Sequence, residues 1–188
     1  MRKVVLGVTG ASGAIYARRL MDAFRQMASV EVAVVFSACG EQVFRHELGD
    51  MCWASYAAAF RRYGNDDFHA PFASGSCDFD TVIIAPCSMG SLARIANGIS
   101  GDLLSRAADV ALKERRRLIV VPREMPLHRI HLQNMLQLTD AGGIICPACP
   151  SFYLHPATVD DVAETVTNRV LQLAGLAHDG KRWGVERG

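Results

Sequence analysis

Apolar residues are gathered into short runs at 3–9, 30–36, 81–86, 118–122 and 143–146, rich in Val and Ile and nearly unbroken by polar residues. Continuous β-branched runs of this length predict strands buried on both faces rather than half-exposed ones. Between them, 14–27, 40–48, 102–114, 130–141 and 159–173 carry helical spacing. The last is the clearest: Thr158-Val-Asp-Asp161 fits a capping box, and Val159, Val162, Val166, Val170 and Leu173 form one stripe. Strand and helix alternate, which predicts βαβ units and a largely parallel sheet covered by helices on both sides. The 188 residues suit one domain with a sizeable core, with no internal repeat or linker. Residues 62–77 form the longest irregular stretch, and long loops in compact domains are often functional.

Charge narrows the function. Twenty basic and nineteen acidic side chains leave +1, too balanced for a protein that binds nucleic acid through phosphate neutralisation. Arg115-Arg116-Arg117 reads as a solvated helix end. The opening Met1-Arg2-Lys3 and its apolar residues imitate a signal peptide, but Gly7, Thr9 and Gly10 interrupt the run too early. With no window near the roughly twenty apolar residues of a membrane span, the chain reads as soluble and cytoplasmic. Its six cysteines form no dense framework and are expected as reduced thiols.

Gly7-Val-Thr-Gly10-Ala-Ser-Gly13 joins the first strand to the first helix. Such a turn is either a plain tight turn or a phosphate cradle, in which glycines allow close backbone approach and the helix start offers unpaired N–H groups. Ser12 adds a hydroxyl. The spacing is G-x-x-G-x-x-G, not the G-x-G-x-x-G of dinucleotide sites, and the second strand ends at Ser37 instead of an acidic residue. A neutral hydroxyl suits a ribityl chain or phosphate, which favours a mononucleotide such as FMN over NAD. The nucleotide-triphosphate motif G-x-x-x-x-G-K-[ST] does not occur.

A second group of residues suggests an anion. Arg106 and Lys113 stand seven apart, on one helix face and roughly 10 Å apart along its axis; spacing alone reads them as an exposed basic stripe or as two grips on an anionic ligand. Arg169 borders the apolar stripe of the last helix, where a guanidinium commonly has a partner or a ligand. Tyr153 precedes that helix with a phenol suited to a phosphate oxygen. Arg123 and Glu124 follow a strand end, where open α/β sheets place ligands. Cys146 and Cys149 form a C-x-x-C, yet Pro150 disfavours the helix that a redox dithiol needs, and no second ligand pair completes a zinc site. The stretch reads as a rigid loop leading to Tyr153, and no metal is expected.

The segments GVTGASGA, IIAPCSMGSLA, LLSRAADVALKERRRLIVVPREMPLHRIHLQNM and PSFYLHPATVDDVAETVTNRVL together resemble the UbiX-type flavin prenyltransferases, a likeness running from about residue 3 to 183 and including Arg182-Trp183-Gly184. The resemblance implies a flavodoxin-like three-layer αβα fold, a homo-dodecamer with active sites shared between subunits, and metal-independent transfer of a dimethylallyl group from dimethylallyl monophosphate to N5 and C6 of reduced FMN. The product, prenyl-FMN, would serve a UbiD-type decarboxylase. Gly10, Ala11, Ser12, Ser37, Ser88, Ser91 and Arg123 match family positions that contact FMN. Arg106, Lys113, Tyr153 and Arg169, with Glu47 and Glu124, match those around the dimethylallyl phosphate. Glu47, Glu124, Ser12 and Lys113 are the catalytic candidates. Gln133 stands where many relatives have Glu, and Phe68 where some have Trp. The alternatives are an FMN-dependent cysteine decarboxylase, although Pro86-Cys-Ser-Met-Gly-Ser91 lacks that group's motif, and a noncatalytic flavin carrier subunit of an aromatic-acid decarboxylase.

Overall fold

A computed structural model describes residues 1–153 and 155–176; Arg182-Trp183-Gly184 lie outside the described residues. In chain order the elements are β1 (Arg2–Val8), α1 (Ala14–Arg25), β2 (Val30–Phe36), α2 (Ala38–Leu48), α3 (Asp50–Ala59), β3 (Arg61–Tyr63), β4 (Thr81–Cys87), α4 (Met89–Ala96), α5 (Leu103–Lys113), β5 (Arg117–Pro122), α6 (Arg129–Asp140), β6 (Ile144–Ile145) and α7 (Val159–Leu173). The strands form one sheet in the order β3-β2-β1-β4-β5-β6, with every neighbouring pair parallel. This is the flavodoxin-like three-layer arrangement expected, with a short extra strand, β3, at one edge.

Period-two alternation divides the core. Val4, Leu6 and Val8 of β1 face one side with Leu20 and Phe24 of α1, Phe44 of α2 and Val166 and Val170 of α7. Val5 faces the other with Leu92 of α4, Leu104 and Val110 of α5 and Leu138 of α6. Each fully buried Leu or Ile contributes about 1.5–3 kcal/mol relative to exposure. Strand β4 is buried along its whole length, as its unbroken apolar run requires. Helix α7 thus covers one face of the sheet and α5 the opposite face. That division decides where the candidate cations fall.

Several local readings are amended. Helix α3 fills a stretch to which the spacing assigned no element, and it buries only Trp53 and Tyr56. Helix α4 follows β4 directly, and the stretch 62–77 starts inside β3 and contains a 3-10 turn at Pro71–Ala73. The arginine run is not simply solvated. Arg115 is exposed, but Arg116 stacks on Phe79 and donates to the Gly75 carbonyl at 2.8 Å, and Arg117 donates to the Ala174 carbonyl at 2.6 Å. All six cysteines are free.

Helix α6 is unusual in what it hides. Asn134 and Leu138 point inward, while Ile130, Leu132 and Leu136 stand 53–62% exposed beside Met125 and Leu127, at 86% and 42%. Among the described residues no helix is long and apolar enough to cross a membrane.

Candidate functional site

Because all strands run the same way, residues following β1, β2, β4 and β5 gather at one edge of the sheet. These are Gly10, Ala11 and Ser12; Ser37; Ser88 and Ser91; and Arg123 with Glu124. Chain leaving β1 enters α1 on one face, whereas chain leaving the adjacent β4 enters α4 on the other. The crevice opened by that divergence is the ligand position of open α/β sheets.

The glycines there are required by space and conformation. A Cβ on Gly10 would lie 2.5 Å from the Cys39 Cβ, and Gly13 adopts φ +110° with the Tyr16 ring 2.9 Å from any added Cβ. Arg123 Cγ comes to 3.9 Å of the same point, so the end of β5 adjoins the first turn. Ser12 and Arg123 are exposed; Ala11 and Ser91 are buried. Ser88 caps α4, its hydroxyl accepting from the Ser91 N–H at 3.3 Å and meeting the Ser91 hydroxyl at 3.1 Å. Ser37 caps α2 by accepting from the Gly40 N–H at 3.0 Å, which leaves its own proton to donate. Neutral hydroxyls, one exposed guanidinium and a turn with no room for side chains fit a flavin mononucleotide, whose ribityl and phosphate groups need those partners.

Expectation and structure part at the start of α1. The N–H groups of Gly13 and Ala14, read from sequence as unpaired, are both taken by the Glu47 carboxylate, at 3.0 and 3.2 Å from Gly13 and 2.8 Å from Ala14. An anion does sit on the positive helix end, but the protein supplies it. Glu47, in the last turn of α2, therefore ties two elements together beside the crevice. Glu124 is exposed and accepts from the Met125 N–H at 3.1 Å.

Residues 146–151 form a strap across the end of β5. The Cys146 N–H donates to the Val120 carbonyl and the Ala148 N–H to that of Pro122, while the Ser151 N–H donates to Thr165 Oγ1 on α7 at 3.1 Å. This fixes the approach to Tyr153, which is 53% exposed. No helix forms at the C-x-x-C. Burial pushes the Cys146 thiol up, with Arg169 opposing and Cys149 adding to the rise, so Cys146 is a protonated packing residue. Burial likewise raises the Tyr16 phenol, against Arg123 and with Cys149. Tyr16 and Arg123 both flank Gly13, the strap is bonded to Pro122 beside Arg123, and its far end is held by Thr165, one turn before Arg169 on α7. Arg169 itself is exposed, with its guanidinium 3.3 Å from Gln172 Oε1.

Arg106 and Lys113 are not brought to that neighbourhood. They lie on α5, across the sheet from α7. Arg106 donates to the Ala73 carbonyl and pairs with Asp109, both at 2.9 Å, and Lys113 pairs with Glu114 at 3.2 Å. Lys113 also sits at the wrong end: four residues later the chain enters β5 at Arg117, opposite the edge that carries Arg123. One chain assembles the crevice, carries Tyr153 and Arg169 on the segment that runs from the strap into α7, and presents Arg106 and Lys113 on the opposite face of the sheet.

Fold and crevice together define a flavin-binding α/β protein, and the family model for Flavoprotein matches residues 1–171. A flavin prenyltransferase UbiX of Methanocaldococcus jannaschii is 46% identical over 97% of this chain and 98% of its own length. Among solved structures, AnUbiX (PadA1) in complex with FMN and dimethylallyl pyrophosphate superposes with a TM-score of 0.92 at 39% identity, covering 99% of both chains. A dodecameric FMN-dependent UbiX-like decarboxylase from Escherichia coli O157:H7 gives 0.90 at 41% identity, covering 96% of this chain and 98% of that one. The chain belongs to the UbiX flavin prenyltransferases.

Proposed function

We propose that this protein transfers a dimethylallyl group from dimethylallyl monophosphate to N5 and C6 of reduced FMN, yielding prenyl-FMN for a UbiD-type decarboxylase in the cytoplasm. The observation that carries this reading is the hydroxyl-lined crevice at the β1/β4 divergence, and the strap that leads from β5 past Tyr153 to α7 supports it by carrying two candidate anion-holding groups, Tyr153 and Arg169. A flavin carrier needs no second anion site, and membership of the family favours prenyl transfer over cysteine decarboxylation.

Reduced FMN, when bound, supplies the nucleophilic ring atoms. Gly10, Ala11 and Ser12 admit it to close backbone approach, and Ser37, Ser88, Ser91 and Arg123 hold its ribityl and phosphate oxygens. Arg169 and Tyr153 grip the phosphate of the donor. As the allylic C–O bond breaks, the departing phosphate keeps the electron pair, and fixed cations around it lower the barrier most in a dry site. Glu124, at the strand end, is the candidate acceptor for the C6 proton, while Ser12 and Glu47 border the reacting region.

Arg106 and Lys113 complete the phosphate site from a second copy, in keeping with their place on the opposite layer. The oligomer is a dodecamer in this reading, and the exposed apolar face of α6 supports burial between copies. Anaerobic incubation of the protein with reduced FMN and dimethylallyl monophosphate is expected to give a flavin heavier by one five-carbon unit by mass spectrometry. Bound but unmodified FMN after prolonged incubation would overturn the prenyl-transfer reading.

A further inference from the structure

Thr9 is the last residue before the Gly10 turn and is 1% exposed, so it offers a ligand almost no surface. Its hydroxyl nevertheless connects the two loops that flank the crevice, which are 77–79 residues apart in sequence. Thr9 Oγ1 donates to the Pro86 carbonyl at 2.9 Å and accepts from the Ser88 N–H at 2.7 Å. The direction is unambiguous, since a carbonyl only accepts and an amide N–H only donates. The Thr9 backbone N–H also reaches the Pro86 carbonyl, at 3.2 Å.

Removing the hydroxyl would therefore strand one group in particular. Pro86 O keeps the Thr9 N–H, whereas the Ser88 N–H loses its acceptor. Ser88 is the residue whose side chain caps α4 and meets Ser91, whose hydroxyl in turn accepts from Arg94 at 3.3 Å. A displaced Ser88 would carry both serines away from the Gly10–Ser12 turn. We infer that Thr9 is a positioning residue for flavin binding: through Ser88 it sets the β4 loop at a fixed distance from the β1 loop, without touching the ligand. This rests on the flavin reading of the same crevice.

The test is titration of FMN into the apo protein, parent and variants, with flavin fluorescence as the readout and the apo thermal midpoint alongside. Thr9→Val keeps the volume and removes the hydroxyl, and should weaken FMN binding about tenfold or more, the scale of an orphaned buried donor. Thr9→Ser should stay within about twofold of the parent, because the two hydrogen bonds survive. Prenyl transfer at saturating FMN should show little change in KM for dimethylallyl monophosphate. If Thr9→Val fails to fold, Thr9→Ala is read by the same titration. Parental FMN affinity in the hydroxyl-less variants would overturn the inference, as would Thr9→Ser binding no better than Thr9→Val at an unchanged thermal midpoint. Failure of the parent to bind FMN would instead overturn the flavin reading itself.

Discussion

Helices α5 and α7 are built alike and used differently. Each opens on a full capping box, Asp102 with Ser105 in one and Thr158 with Asp161 in the other, and each carries an arginine beside its buried face. Yet α7 lays Arg169 beside the strap and the crevice, while α5 commits Arg106 to Asp109 and Ala73 on the far side of the sheet. Two cations that look equivalent in sequence thus belong to different surfaces. A helix period fixes which face of the helix a residue occupies; it does not fix which face of the sheet the helix covers.

The sharpest way to break this contrast is complementation. Lys113→Ala and Arg169→Ala should each lower kcat/KM for prenyl transfer by about a hundredfold or more, the scale on which a preorganised charge-stabilising group acts. If α5 of one copy completes the site of another, subunits of the two variants dissociated and reassembled together should recover activity. Random mixing in a symmetric assembly makes about one site in four intact, and about a quarter of the parental rate is expected. Recovery absent from a mixture shown by native mass spectrometry to contain both variants would place all four phosphate-binding residues in one chain's own site.

Some of this was legible beforehand and some could not be. The stretch 159–173 is a helix to the residue, because Thr158 and Asp161 mark its start; of the expected stripe Val166 and Val170 are buried, while Val159 in the first turn stands 74% exposed and the face is completed by Ala163, Thr167 and Leu171. The residues flanking the crevice were legible because parallel strands bring every following loop to one edge. Helix α3 was hidden by alanines that fit any pattern, and α4 by starting immediately after Pro86-Cys87-Ser88 and carrying Gly90 in its first turn. Glu47 on the α1 start and Thr9 between two loops depend on partners 33 to 79 residues away, for which local spacing carries no signal.

A smaller test compares the two capping boxes. Thr158→Ala should cost about 1 kcal/mol of stability and nothing in flavin affinity, since its hydroxyl serves only the Asp161 N–H. Asp102→Ala removes an equivalent cap, but its carboxylate also lies 3.6 Å from Arg94, which donates to Ser91 at the crevice. A similar stability loss accompanied by a few-fold weaker FMN binding is expected for Asp102→Ala alone, read from chemical denaturation and flavin titration. Equal flavin affinities in the two variants would show that Arg94 holds Ser91 without Asp102.

The smallest effect should come from the thiols on the α7 side. The strap is held by backbone donors at Cys146, Ala148 and Ser151, none of which depends on a sulfur atom. Cys146 is 9% exposed and kept protonated chiefly by burial, so its contribution is packing, while Cys149 is exposed. Replacing both with Ala should leave prenyl transfer within about twofold, with a stability loss of about 1 kcal/mol for the small volume removed at Cys146. Loss of activity in a variant that retains its thermal midpoint and its FMN affinity would give the sulfurs a part in the chemistry. The backbone bonds of the strap would then explain only how Tyr153 is held, and the functional contrast between α7 and α5 would have to include a thiol on one side and none on the other.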